Sequence, residues 1–176
     1  MSSIVLKAIA NLGKEKHAVG SLNNHDIKMV NMGAKCKEDI DNFMIVELGF
    51  NEKGERICSL LSDVTKKGYL IASVEDYLSQ YENISSFFNG EGEMARIVIQ
   101  EAGTRFECSN VVGSESSAPI KNGMKAYFDP AKKQYVVSNG KSEDQAFATA
   151  GNKYIVVDAI GNTLGGQQTY RLEFIA

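Results

Sequence analysis

The sequence contains no tryptophan, and its 176 residues include only two prolines, two histidines and three cysteines. Each scarcity narrows the field. Without tryptophan the strongest aromatic platform for sugars or bases is missing. His17 and His25 lie in a polar stretch, with no Cys-x-x-Cys or His-Glu-x-x-His spacing anywhere in the chain. A histidine- or thiolate-bound metal is therefore not signalled, and no cofactor is expected. Cys36, Cys58 and Cys108 are odd in number and widely spaced. A disulfide scaffold would carry an even, denser set, so three reduced thiols of a protein made in the cytoplasm are expected. No basic run exceeds a pair (Lys66-Lys67, Lys132-Lys133), and the formal net charge is -3. Phosphate backbones are bound by clustered Lys and Arg, so no nucleic-acid partner is expected. No apolar run approaches the ~20 residues of a membrane-spanning helix, and no membrane partner is expected. The opening Met1-Ser2-Ser3-Ile4-Val5-Leu6-Lys7 has no basic region before an apolar core, so no signal peptide is expected.

What is present is a globular composition, 43% hydrophobic and 23% charged, punctuated by sixteen glycines. Between the glycines lie short β-branched or aromatic segments with near-alternating polarity. Strands are expected at Ile27–Met32, Phe43–Phe50, Arg56–Leu61, Tyr69–Val74, Met94–Gln100 and Thr104–Ser109. Four more are expected at Met124–Phe128, Gln134–Ser138, Lys153–Ala159 and Thr169–Ile175. In Thr104–Ser109 a period of two sets Thr104, Phe106 and Cys108 on one face. In the last strand Tyr170, Leu172 and Phe174 share a face in the same way. Turns fall at Asn51–Glu55, Asn89–Glu93, Lys121–Gly123 and Asp129–Lys133, where Pro130 sets φ. One short helix is expected over Ser73–Tyr81, with Val74, Tyr77, Leu78 and Tyr81 at helical spacing.

The expected fold is mainly β, an antiparallel sandwich or barrel with one short helix and an extended N-terminal arm. The arm covers residues 1–26 and the β-rich domain residues 27–176. Val112–Ala118 is small, polar and linker-like, a point of subdivision or a surface loop.

Signals for catalysis are weak. Cys36 lies between Lys35 and Lys37, the one cysteine whose flanking charges favour a thiolate, and a cysteine-dependent hydrolase is one alternative. Cys58 and Cys108 fall on strands and read as small core residues. Glu91 and Glu93 flank a glycine but lack the carboxylate spacing of a calcium loop. No Gly-x-Ser-x-Gly elbow or phosphate loop occurs, and Gly161–Gly166 joins two strands, without the helix that a phosphate site requires. The chain is expected not to be an enzyme, with no catalytic, cofactor or metal residues. Phe87 and Phe88 are adjacent aromatics that must point in different directions, which makes them interface candidates.

The stretch Gly68–Ser109 holds Phe87-Phe88-Asn89-Gly90-Glu91-Gly92-Glu93, Ala95-Arg96-Ile97-Val98-Ile99 and Arg105-Phe106-Glu107. Together with Gly123–Val137, about half the chain, it resembles small head-associated structural proteins of tailed phages that infect Gram-positive bacteria. The likeness is to auxiliary capsid, or decoration, proteins. It implies a non-enzymatic virion protein, made in the host cytoplasm, that binds the major capsid protein or another virion protein as a homo-oligomer. A neck or tail component and a small-ligand or carbohydrate-binding sandwich are the further alternatives.

Overall fold

In the computed structural model the described residues are 16–24, 26–75, 84–139 and 145–176. The chain is mainly β, with thirteen strands in two sheets among the described residues. They are β1 Gly20–Leu22, β2 Ala34–Cys36, β3 Ile45–Phe50, β4 Arg56–Leu60, β5 Tyr69–Ile71, β6 Met94–Ala95 and β7 Ile97–Val98. The rest are β8 Arg105–Cys108, β9 Val111–Gly113, β10 Lys125–Asp129, β11 Gln134–Val137, β12 Lys153–Leu164 and β13 Gln167–Phe174. A 3₁₀ turn at Ile84–Ser86 and one short α-helix, α1 (Gln145–Thr149), complete the described secondary structure.

The first sheet runs β1-β8-β13-β12-β10-β11-β9. Alternation builds its inner face: Leu172 pairs with Phe106 and Val156, Tyr154 with Phe174 and Ala126, and Phe128 with Tyr135. All of these are nearly or fully buried. The aromatic rings among them meet in tilted and edge-on pairs, such as Phe106–Tyr154 at 5.7 Å and Tyr135–Tyr154 at 5.2 Å between centroids. Such geometries suit the ring quadrupole. The opposite face carries a smaller cluster, where Phe147 of α1 covers Tyr127 and Val136. Lys125 and Lys153 sit over the Phe147 ring at 5.2 and 5.7 Å.

The second sheet runs β6-β2-β4-β3-β5-β7. Its two end strands are consecutive in the chain, separated by Arg96 alone. One flank of this stretch pairs with β2, and Val30 and Lys28 continue that flank through hydrogen bonds to Ile97 and Ile99. The other flank pairs with β5. The sheet therefore closes on itself as a small five-stranded barrel, which removes its free edges.

Several expectations change. The sheets are mixed, not purely antiparallel, because β9 runs parallel to β11 and β2 parallel to β4. Gly20–Leu22, inside the expected 1–26 arm, is the edge strand β1 paired with β8. Its alternation is too short to register in sequence. Residues 1–15 and His25 lie outside the described residues, as do 76–83, which hold most of the helix expected over Ser73–Tyr81. Helix α1 was not anticipated. Within Val112–Ala118, residues 112 and 113 belong to β9. The buried Asn139 amide then fastens the following loop, accepting from the Ser114 hydroxyl and Glu115 N and donating to the Glu115 and Ala118 carbonyls. The glycine-rich Gly161–Gln167 segment is a hairpin in which Gly165 and Gly166, at φ 55° and 73°, make the two-residue turn between β12 and β13.

Candidate functional site

Side-chain amides tie the two sheets together and fix the barrel. Asn152, at the head of β12, accepts from Gly68 N at 2.7 Å and donates to Gly68 O at 3.1 Å, as a strand backbone would. It also donates to Gln100, whose oxygen accepts from Tyr154. Tyr135 donates across the core to the Phe43 carbonyl at 2.9 Å. Phe43 is held at φ 61°, a left-handed conformation unfavourable for a bulky residue. On this rigid frame the chain leading into β2 makes a tight turn, with Gly33 N donating to Val30 O at 2.9 Å.

That turn gathers three of the exposed large apolar side chains of the described surface. Met32 sits at its third position with φ 61°, where glycine or asparagine is the ordinary choice. Its side chain is 85% exposed, and Met29 and Met94 beside it are 50% and 60% exposed. The three methionines line one open depression of about 510 Å³ with Val30, Gly33 and Arg96. Gly33 cannot be replaced cheaply: at φ 66° a Cβ would run into the Ala95 carbonyl oxygen. A flexible, polarizable thioether adapts to irregular partner surfaces, so three together form a pliable contact face. The turn holds Met32 outward although both its backbone conformation and its exposure are unfavourable. Such strain is commonest where a side chain serves a function.

The residues proposed from sequence fall elsewhere. Phe88 is buried, its ring stacked on His17 at 4.8 Å between centroids. Phe87 follows the 3₁₀ turn and is half-buried. The pair does point two ways, and Phe87 is the member that keeps surface. His17 Nδ1 lies 2.7 Å from the Asp41 carboxylate, which also accepts from Ala18 N at 3.0 Å. These contacts fasten the start of the described chain to the barrel. No contact brings Phe87 or Phe88 to the methionine depression. The methionines were missed because Ile27–Met32 reads as one strand. The signal available was Asn31-Met32-Gly33, a turn-forming tripeptide at the end of that segment.

In the folded chain Cys36 has neither the exposure nor the lowered pKa that the flanking lysines suggested. It is buried in the barrel opposite Cys58, with the two sulfurs 3.7 Å apart. The hydrogen bond with Cys58, and then burial, push its thiol far above the usual range. Of the flanking lysines, Lys35 pairs with Glu55 at 3.8 Å. Cys108 lies in the core, where burial pushes its thiol up to about 12. Glu91 is part of an exposed turn whose N–H donates to Asp39 at 2.8 Å.

The comparisons with known proteins come from prophages. The family described as YonC prophage protein matches residues 13–175. A protein of Bacillus subtilis (strain 168), described as an SPbeta prophage-derived uncharacterized protein YonC, is 44% identical over 181 residues, covering 99% of each chain. No solved structure matches.

Proposed function

The chain belongs to the YonC prophage protein family, and from that membership we propose that it is a structural protein of a phage virion, docking on the capsid surface as a decoration, or auxiliary head, protein. The observation that carries this reading is the methionine face built by Met29, Met32 and Met94. A two-sheet body presents three exposed apolar side chains beside a closed barrel, an arrangement suited to seating on a preformed protein surface. Capsid shells offer that surface many times over, so a modest single contact becomes strong when neighbouring copies also touch. The capsid protein is the partner in this reading, and the chemistry required of it is a shallow apolar site.

The test is co-sedimentation with phage heads purified from a deletion strain. The unaltered protein is expected to pellet with heads. A double substitution of Met32→Asp and Met94→Asp should leave the fold intact, because both side chains face solvent, and should weaken binding at least about tenfold. Unchanged binding of the variant would remove the methionine face from the contact. Failure of the unaltered protein to bind heads would remove the capsid reading and favour the neck or tail.

A further inference from the structure

Of the three cysteines, two form a matched pair. Cys36 and Cys58 are register partners on the parallel strands β2 and β4, 22 residues apart in sequence. Adjacent strands lie about 4.8 Å apart, within the Cα separation that a disulfide spans. Both side chains point into the barrel, and their sulfurs are 3.7 Å apart with no other cysteine beside them. Rotation about the two Cα–Cβ bonds brings the sulfurs toward the ~2.05 Å of a disulfide without moving either strand from its register. The site is buried, but it lies on one of the short seams of the barrel. β2 has three residues and meets β4 through two register pairs. Opening of so short a pairing exposes both thiols together.

We propose that Cys36 and Cys58 are a redox-active dithiol that a low-molecular-weight disulfide, such as oxidised glutathione, converts to an internal cross-strand disulfide. One cysteine thiolate attacks a glutathione sulfur, forming a mixed disulfide and expelling one glutathione thiolate. The second cysteine attacks the protein sulfur of that mixed disulfide and expels the other. Two protein thiols and one oxidised glutathione thus become one protein disulfide and two reduced glutathiones, and the protein loses two electrons and two protons. The bond ties β2 to β4 three residues beyond Gly33, in the strand that the Met32–Gly33 turn runs into. It therefore stiffens the base of the methionine face. A chain made among reduced thiols and released into an oxidising medium would pass from one form to the other. The chemistry itself does not depend on the docking reading.

The experiment uses the full chain incubated with oxidised glutathione, then denatured and alkylated. Free thiols are expected to fall from three to one, with Cys108 alone labelled and Cys36- and Cys58-containing peptides joined. The melting temperature should rise by about 5 °C and return on reduction. Cys108→Ser should behave like the unaltered chain, whereas Cys36→Ser should gain no internal bond and no thermal shift. Three free thiols after prolonged exposure, in the presence of enough urea to promote local opening, would overturn the proposal. Stable glutathione adducts or disulfide-linked dimers as the end product would overturn it equally.

Discussion

The two halves of the molecule use opposite means to hold a sheet. The first sheet relies on long strands and large rings. β12 and β13 span twelve and eight residues, and five of the six rings in the aromatic core come from its strands. The barrel is made of strands two to six residues long around aliphatic side chains such as Ile45, Leu70 and Ile97, with the small Ala34, Cys36, Cys58 and Ala95 among them. Its strands are too short to hold by pairing alone. Closure and buried amides compensate: Asn42 accepts from Ser73 N and donates to Ser73 O, and Asn89 donates to Ile40 O. The difference separates two tasks. The aromatic half buries the larger rings, and the barrel half positions surface features on short strands.

The comparison breaks first if the aromatic core is not dominant. Phe106, fully buried among Phe43, Tyr135 and Tyr154, should cost about 3–5 kcal/mol when replaced by alanine, measured by urea denaturation. An equal loss from Cys58→Ala would erase the distinction between the halves. Next comes the tie between them. Asn152→Ala leaves the buried Gly68 N–H and carbonyl without their side-chain partner and should cost about 2–3 kcal/mol. Asn152→Asp should not rescue it, because the carboxylate cannot donate to Gly68 O.

A smaller effect concerns the outer surface of the barrel. Glu47 accepts from Ser62 N at 2.6 Å and from Lys66 Nζ at 2.9 Å. The hydrogen bonds from Ser62, then the bond from Lys66, hold its carboxyl down at about 2. Because the folded-state value lies below the unfolded one, the stabilisation is present above about pH 4.5. It fades as pH falls toward 2. Glu47→Gln should therefore cost about 1 kcal/mol at neutral pH, a figure reduced for solvent screening, and nothing near pH 2. A pH series of melting curves on both proteins reads this directly. The smallest effect has the opposite sign. Met32→Gly relieves a left-handed methionine and should leave stability unchanged or raise it by up to about 1 kcal/mol. The same change should weaken head binding, whereas a purely structural Met32 would show no such split.

Sequence legibility follows the same division. In the aromatic half, alternation in Arg105-Phe106-Glu107-Cys108 and Tyr170-Arg171-Leu172-Glu173-Phe174 runs long enough to reveal which face is buried. The turn at Asp129–Lys133 was equally plain, since Asp129 caps its own loop by accepting backbone N–H groups, and in the barrel the β3–β4 turn was legible for the same reason, through Asn51. The barrel was harder to read. β2, β6 and β7 have two or three residues each, fewer than a period-two pattern needs. Parallel pairing leaves no hairpin signature, so the Cys36–Cys58 register and the closure at Arg96 become visible only in three dimensions. The site was the least legible part. Phe87 and Phe88 carry the larger apolar surface, yet Phe88 is used internally against His17, while the outward residues are methionines set by a turn.

The central claim, a virion protein seated on the capsid, is tested most directly by quantitative mass spectrometry of density-purified particles from an induced source strain. The account predicts copies in simple proportion to the capsid protein. A dozen copies or fewer would place the chain at the neck or tail, and absence from intact particles would contradict the structural reading altogether.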